Sequence, residues 1–308
     1  MGMKTKHVLP KINASIRELN QQIAIQLTTL LKTDENALEA YQNDDFASEF
    51  ITDLNTWDET QLVKDYYFGG LKKIYRSKTI PFASFQQMLH EVDLTPYKDN
   101  DYLKMIPWNE KKFGSWELSY GVFPAYQPFL MGDVFIDSTH KGLEITSLGF
   151  ARHPFLYPCL LKNDSIWMSV TPFEIETMKQ PIERAHGSVL TLGCGMGYFA
   201  FMVSQKESVS SVTIIENDPF VIELFQQEIL PHFPFKEKIY VVLADGIAYL
   251  QTNKLDTFNY VFIDIYQTVE DGLPLYITLK KLEAELQLKA PWVYWLETSM
   301  KAMSKREK

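Results

Sequence analysis

Cysteine is nearly missing from this sequence, with two residues, Cys159 and Cys194, in 308. Two thiols cannot build a disulfide framework or a cysteine-rich zinc site, and they suit a reducing compartment. No run approaches the roughly twenty apolar residues that a membrane-spanning helix needs. The opening MGMKTKHVLP has basic residues but no apolar stretch of a secretory signal. Lys6 stands where myristoylation of Gly2 would want Ser or Thr. Positive charge is also in deficit: 30 Lys and Arg face 39 Asp and Glu, a formal charge of -9. Such a surface repels phosphate backbones. These absences set the expectation of a cytoplasmic protein with neither a membrane nor a nucleic acid as partner.

What is present is an apolar fraction of 46%, enough for a full core, in a chain longer than the usual single domain. Three segments differ in character. Residues 1–107 read as a helical N-terminal domain: Ile12, Ile16, Leu19, Ile23, Leu27, Leu30 and Leu31 recur at helical spacing. Further helices are expected over 35–53, 59–74 and 82–92. The stripe suits a core, a lid or a homodimer contact. Residues 108–170 alternate in short runs (116–120, 128–136, 143–150 and 166–170) separated by turn residues, the pattern of β-hairpins.

Residues 171–308 alternate strand and helix. Thr171, Pro172 and Glu174 spell a capping box with proline at the first helical position. Strands are expected over 188–192, 211–216, 238–244, 260–264 and 292–297, with helices over 198–204, 219–229, 247–251 and 276–286. Strands that are apolar nearly throughout and separated by helices predict an α/β fold, a Rossmann-like, doubly wound, mostly parallel sheet.

The first of these strands runs into Gly193-Cys194-Gly195-Met196-Gly197. Three places after Gly195 stands Tyr198, so the dinucleotide fingerprint fails and a G-x-G-x-G spacing remains. Glycine there lets backbone come close to a ligand at the carboxyl edge of a sheet. Glu216 ends the next strand nineteen residues after Gly197, followed by Asn217-Asp218-Pro219. A carboxylate so placed can accept hydrogen bonds from a ribose diol. Asp245, before Gly246, ends the third strand and Asp264 the fourth. Asp218 before Pro219 reads as a helix N-cap. Cys194 reads as a small packing residue rather than a nucleophile. His140, His153, His186 and His232 lack metal-ligand spacing. Arg152-His153 reads equally as a substrate mouth or a surface turn.

This series resembles the class I S-adenosylmethionine-dependent methyltransferases. The preceding hairpins, with Glu216-Asn217-Asp218-Pro219 and Ala244-Asp245-Gly246, look like their spermidine-synthase-like branch, over roughly residues 125 to 297. The resemblance implies S-adenosyl-L-methionine as cofactor. Gly193, Cys194, Gly195 and Gly197 would hold its methionine part, Glu216 with Asn217 the ribose, and Asp245 with Gly246 the adenine. Asp264 would touch both cofactor and acceptor and orient or deprotonate the latter, with Tyr266 in the acceptor wall. Three departures bear on the reaction. Met196 stands where polyamine synthases carry a loop Asp, Ile175 and Glu176 replace their Tyr-His pair, and Asp264-Ile265-Tyr266-Gln267-Thr268 keeps only the first Asp of D-S-S-D-P. The expectation is therefore a methyltransferase of a small-molecule acceptor, an amine being favoured by the acidic series. The alternatives are an aminopropyltransferase using the decarboxylated cofactor and a non-catalytic nucleoside-binding protein. How the sheet continues after its fifth strand stays open.

Overall fold

The computed structural model describes residues 89–133, 135–137, 143–145 and 147–306, together with 60, 61, 63–65 and 67. The expected helices over 12–31 and 35–53 lie outside these residues. Of the 59–74 helix, the described residues are helical.

In chain order, strand β1 (Leu89–Glu91) precedes two short helices, α1 (Thr95–Lys98) and α2 (Asp101–Met105). Then come β2 (Lys111–Phe113), β3 (Trp116–Phe123), β4 (Phe129–Leu130), β5 (Phe135–Asp137), β6 (Leu143–Ile145), β7 (Leu148–Phe150), β8 (Phe155–Lys162) and β9 (Ser165–Ser169). An alternating series follows: α3 (Pro172–Arg184), β10 (Gly187–Leu192), α4 (Tyr198–Ser204), β11 (Val209–Glu216) and α5 (Pro219–Leu224). After a π-helical turn over Phe225–Ile229 it continues with β12 (Ile239–Leu243), α6 (Gly246–Thr252), β13 (Tyr260–Ile263), α7 (Val269–Leu286), β14 (Trp292–Tyr294) and α8 (Glu297–Arg306). No helix among the described residues is long and apolar enough to cross a membrane.

Two compact units emerge. One comprises residues 1–94, 122–130 and 147–155. Its described sheet runs β1-β7-β4, with β1 parallel and β4 antiparallel to β7. The expected helix over 82–92 is thus wrong at its end, because Leu89, His90 and Glu91 pair with Leu148, Gly149 and Phe150. Three residues have little intrinsic preference, and the partner strand decides. Arg152 forks onto Glu91, with Nε to Oε1 at 2.7 Å and Nη2 to Oε2 at 2.9 Å.

The second unit holds residues 95–121, 131–146 and 156–308. A four-stranded sheet, β2-β3-β8-β9, contains antiparallel hairpins β2/β3 and β8/β9. Strand β8 is absent from the expected set because FLYPCLLK lacks alternation and carries Pro158. The 128–136 and 143–150 runs each break into two short strands in different sheets.

Five parallel strands in the order β12-β11-β10-β13-β14 form the main sheet. Val189, Leu190, Leu192, Val212, Ile214, Val261 and Ile263 are buried at its centre. The order reverses at β10, so right-handed crossovers place the first two connecting helices on one face and the later ones on the other. Among the described residues nothing pairs beyond β14. Glu297, expected to end that strand, instead opens α8. Helix α7 begins seven residues before its expected start at 276, because Thr268 and Asp271 form a capping box that carries the helix past Gly272 and Pro274.

Candidate active site at the carboxyl edge of the parallel sheet

Strand register places the site. Leu192 pairs with Ile215 on one side and Ile263 on the other. The next residue of each strand, Gly193, Glu216 and Asp264, therefore emerges at one level of the sheet edge. This is the switch point, where open α/β sheets bind ligands. A cavity of about 370 Å³ opens there. Gly193, Cys194, Gly195, Gly197, Glu216, Asn217, Asp245, Gly246, Asp264 and Tyr266 all line it.

The glycine loop has positive φ at Gly193 (93°), Gly195 (48°) and Gly197 (78°). Its missing side chains make room for protein. A Cβ on Gly193 would lie 2.0 Å from the Asp264 carbonyl oxygen, one on Gly195 2.1 Å from the Met168 sulfur, and one on Gly197 2.3 Å from the Phe225 ring. The glycines thus let the end of β13, the β8/β9 hairpin and the π-helical turn after α5 close on the loop. From the opposite side, the buried Tyr102 donates its hydroxyl to the Met196 carbonyl. Nothing in the motif signals this support from α2.

Glu216 accepts three backbone N–H groups: Cys194 at 3.0 Å, Asn217 at 2.7 Å and Asp218 at 2.9 Å. A carboxylate offers about four acceptor positions, so about one is left for a ligand hydroxyl rather than a full diol pair. Asp245 caps α6 through the Ala248 N–H at 2.8 Å. Asp218 caps α5 at Phe220 and also accepts the Trp116 indole N–H at 2.8 Å. Burial, with the Glu216 charge beside it, holds the Cys194 thiol well above its usual range, as befits a packing residue.

Asp264 differs from these. Among the described residues no donor reaches its carboxyl group. Burial, reinforced by the negative charge of Glu174, pushes it up to about 8. Glu174 closes the capping box of α3 as expected. The same carboxylate also faces the cavity, which the sequence reading missed. It accepts the Thr171 N–H at 3.0 Å, the Thr171 hydroxyl at 3.2 Å, and the Ser169 hydroxyl at 3.0 and 3.1 Å. Burial still raises it to about 7 against these bonds.

Tyr266 lines the cavity: its hydroxyl donates to the Trp295 carbonyl and its ring stacks on Trp295, centroids 6.1 Å apart. Burial pushes that phenol far up. Glu174 and Met178, four residues apart on one helical face, line the cavity. Ile175 is buried elsewhere, and Glu176 turns to the Tyr97 hydroxyl and Lys179. Met196 is fully buried and outside the cavity lining. Lys162, Trp116, Trp167 and Met168, all from the hairpin sheet, line the cavity unforeseen.

Residues 176–275 match the spermine/spermidine synthase domain. The branch that the sequence resembles is the one this match names. Among solved structures, a spermidine synthase from Thermotoga maritima is 20% identical, over 39% of this chain and 44% of its own, with a TM-score of 0.31. A spermidine synthase in complex with the transition state analogue AdoDATO is 19% identical over 39% and 46%, also at 0.31. An O-methyltransferase from Bacillus cereus in complex with SAH is 17% identical over 34% and 48%, at 0.27. Each match spans less than half of the other protein's length. No curated protein matches the chain.

Proposed function

We propose that this protein transfers an alkyl group from an adenosyl sulfonium to an amine, with Asp264 taking the amine's proton. The unpartnered Asp264 carboxyl group, half-buried beside Glu174 at the end of β13, carries this reading. A half-buried carboxylate with no donor of its own loses part of its solvation, a cost that a cation or a proton offsets. An ammonium group supplies both.

The residues present fit such a donor. Glu216 keeps one acceptor position for a ribose hydroxyl, and Asp245 keeps the carboxyl oxygen that its cap does not use. The acidic lining favours positive charge on sulfur. When bound, the donor supplies a carbon on cationic sulfur, whose displacement leaves a neutral thioether. Asp264, as the carboxylate, accepts a proton from the acceptor ammonium and frees the nitrogen lone pair that forms the new N–C bond. Its raised basicity brings it closer to an amine than an ordinary carboxylate would be, which is what general-base transfer requires. Glu174 keeps the second negative charge near the acceptor, and the Tyr266 and Trp295 rings screen the site from water.

The domain match over residues 176–275 favours an aminopropyl group, and hence a decarboxylated donor, over a methyl group. Met196, buried away from the cavity where polyamine synthases carry an acidic side chain, favours the second reading, methyl transfer from intact S-adenosylmethionine. The deciding experiment offers each donor separately with a panel of mono-, di- and triamines and reads product mass. A product gaining aminopropyl supports the first reading and one gaining methyl the second. Nucleoside binding with no product from either donor on any amine defeats both.

A further inference from the structure

Five carboxylates line the cavity (Glu174, Glu216, Asp218, Asp245 and Asp264), and among the described residues one cation faces them, Lys162. It is the last residue of β8 and pairs across the hairpin with Ser165. The intervening Asn163 and Asp164 both take left-handed backbone, φ 49° and 63°. Two such residues make the tight hairpin turn that fixes register, so the position of Lys162 is set by backbone geometry. Its ammonium lies 4.6 Å from the Trp116 ring centroid and 5.1 Å from that of Trp167. The two rings meet edge to face, 5.8 Å apart at 89°. Trp116 is itself fixed by its indole bond to Asp218.

Lys162 makes no ion pair with any described carboxylate, although the lining is rich in them. The two acids of the adjoining loop are already engaged, Glu216 by three backbone N–H groups and Asp218 by Trp116 and Phe220. Indole faces attract an ammonium ion but accept none of its strong hydrogen bonds. The result is a positioned cation with donors to spare, on the wall of a cavity otherwise suited to positive ligands.

We infer that Lys162 seats a substrate carboxylate, so that one of the two substrates is a zwitterion of amino-acid type. Its positive charge meets the acidic lining and its carboxylate meets Lys162. This rests on the alkyl-transfer reading above and deepens it. The carboxylate has two sources: the α-carboxylate of intact S-adenosylmethionine, or a carboxylate on the amine acceptor. The first makes the donor intact, whereas the second leaves a decarboxylated donor and makes the acceptor an amino acid.

Calorimetry on the full chain distinguishes them. Wild type, Lys162→Met and Lys162→Arg are titrated with S-adenosylmethionine and with its decarboxylated form. The donor-loaded proteins are then titrated with amino acids and with the matching amines that lack the carboxylate. If the donor brings the carboxylate, Lys162→Met weakens S-adenosylmethionine by about ten- to a hundredfold, the scale of a charge-assisted hydrogen bond. The decarboxylated form is then unaffected. If the acceptor brings it, the same loss falls on the amino acids and spares both donors and the plain amines. Lys162→Arg retains binding in either case, which separates lost charge from a damaged hairpin. Equal effects on carboxylated and decarboxylated ligands, or none, overturn the inference alone. Absence of binding by wild type to every nucleoside overturns the inference together with the reading beneath it.

Discussion

The sulfur of Met168 accepts the backbone N–H of Met196 at 3.0 Å, in the space that a side chain on Gly195 would fill. One residue of the hairpin sheet thereby closes on the glycine loop of the parallel sheet. Gly195→Ala meets two obstacles at once, a left-handed φ of 48° and a contact of 2.1 Å to that sulfur. Overpacking of this kind costs about 1–3 kcal/mol, and the backbone strain adds about 1–2 kcal/mol. Denaturant unfolding of Gly195→Ala should show both losses. Combining it with Met168→Ala should recover the packing part and leave the strain. No recovery in the double variant would mean that Met168 is not what Gly195 accommodates.

Asp264→Asn should slow transfer severely while nucleoside binding stays measurable. Removal of a positioned base costs about 10²- to 10⁴-fold. The loss should fall on the rate constant for transfer in single-turnover measurements. A variant with wild-type rates would remove Asp264 from the mechanism.

The pH dependence of the wild-type rate follows from the same group. Asp264 titrates at about 8, and the deprotonated form is the one that accepts a proton. The single-turnover rate should therefore rise with pH through that region, with the half-buried Glu174 beside it so that the two titrate as a pair. In Asp264→Asn the residual rate should lose this rise. A flat wild-type profile from about pH 6 to pH 9 would contradict the assignment.

Much of the parallel half was legible because local and tertiary signals agree there. Strand β10 is mostly apolar and buried over its last four residues, Thr171 with Glu174 and Asp218 with Pro219 announce helix starts, and the strand-end acids fall where the sheet edge puts them. What escaped depends on partners distant in sequence. Leu89–Glu91 became a strand because β7 lies beside it, and β8 hid behind Pro158 and an unbroken apolar run. Lys162, Trp116 and Trp167 reach the cavity from the hairpin sheet, which no strand-end motif marks. Glu174 was visible as a cap, but its second role needs the three-dimensional position of Asp264. The glycines carry a second signal that spacing alone does not show: a side chain on each would meet Asp264, Met168 or Phe225.

Stability should fall as pH rises, for a reason tied to the site. Glu174 and Asp264 titrate at about 7 and about 8 in the folded protein, both raised above their ordinary 4.5 and 3.8. Between the ordinary and the raised values the folded chain therefore holds more protons than the unfolded chain. By linkage, the contribution is fully present below the ordinary carboxylate range and is lost as pH climbs through about 7 to 8. Melting midpoints measured from about pH 5 to pH 9 should drop toward the alkaline end. Asp264→Asn removes an unpartnered charge, so it should melt above wild type at the alkaline end and close to it at the acid end. A saturating cationic ligand should narrow the same gap in the wild type, because it supplies the charge that Asp264 lacks. If Asp264→Asn shifts the midpoint equally at every pH, the Asp264 carboxyl group is not what sets the alkaline loss, and the case for a poised base at the end of β13 goes with it.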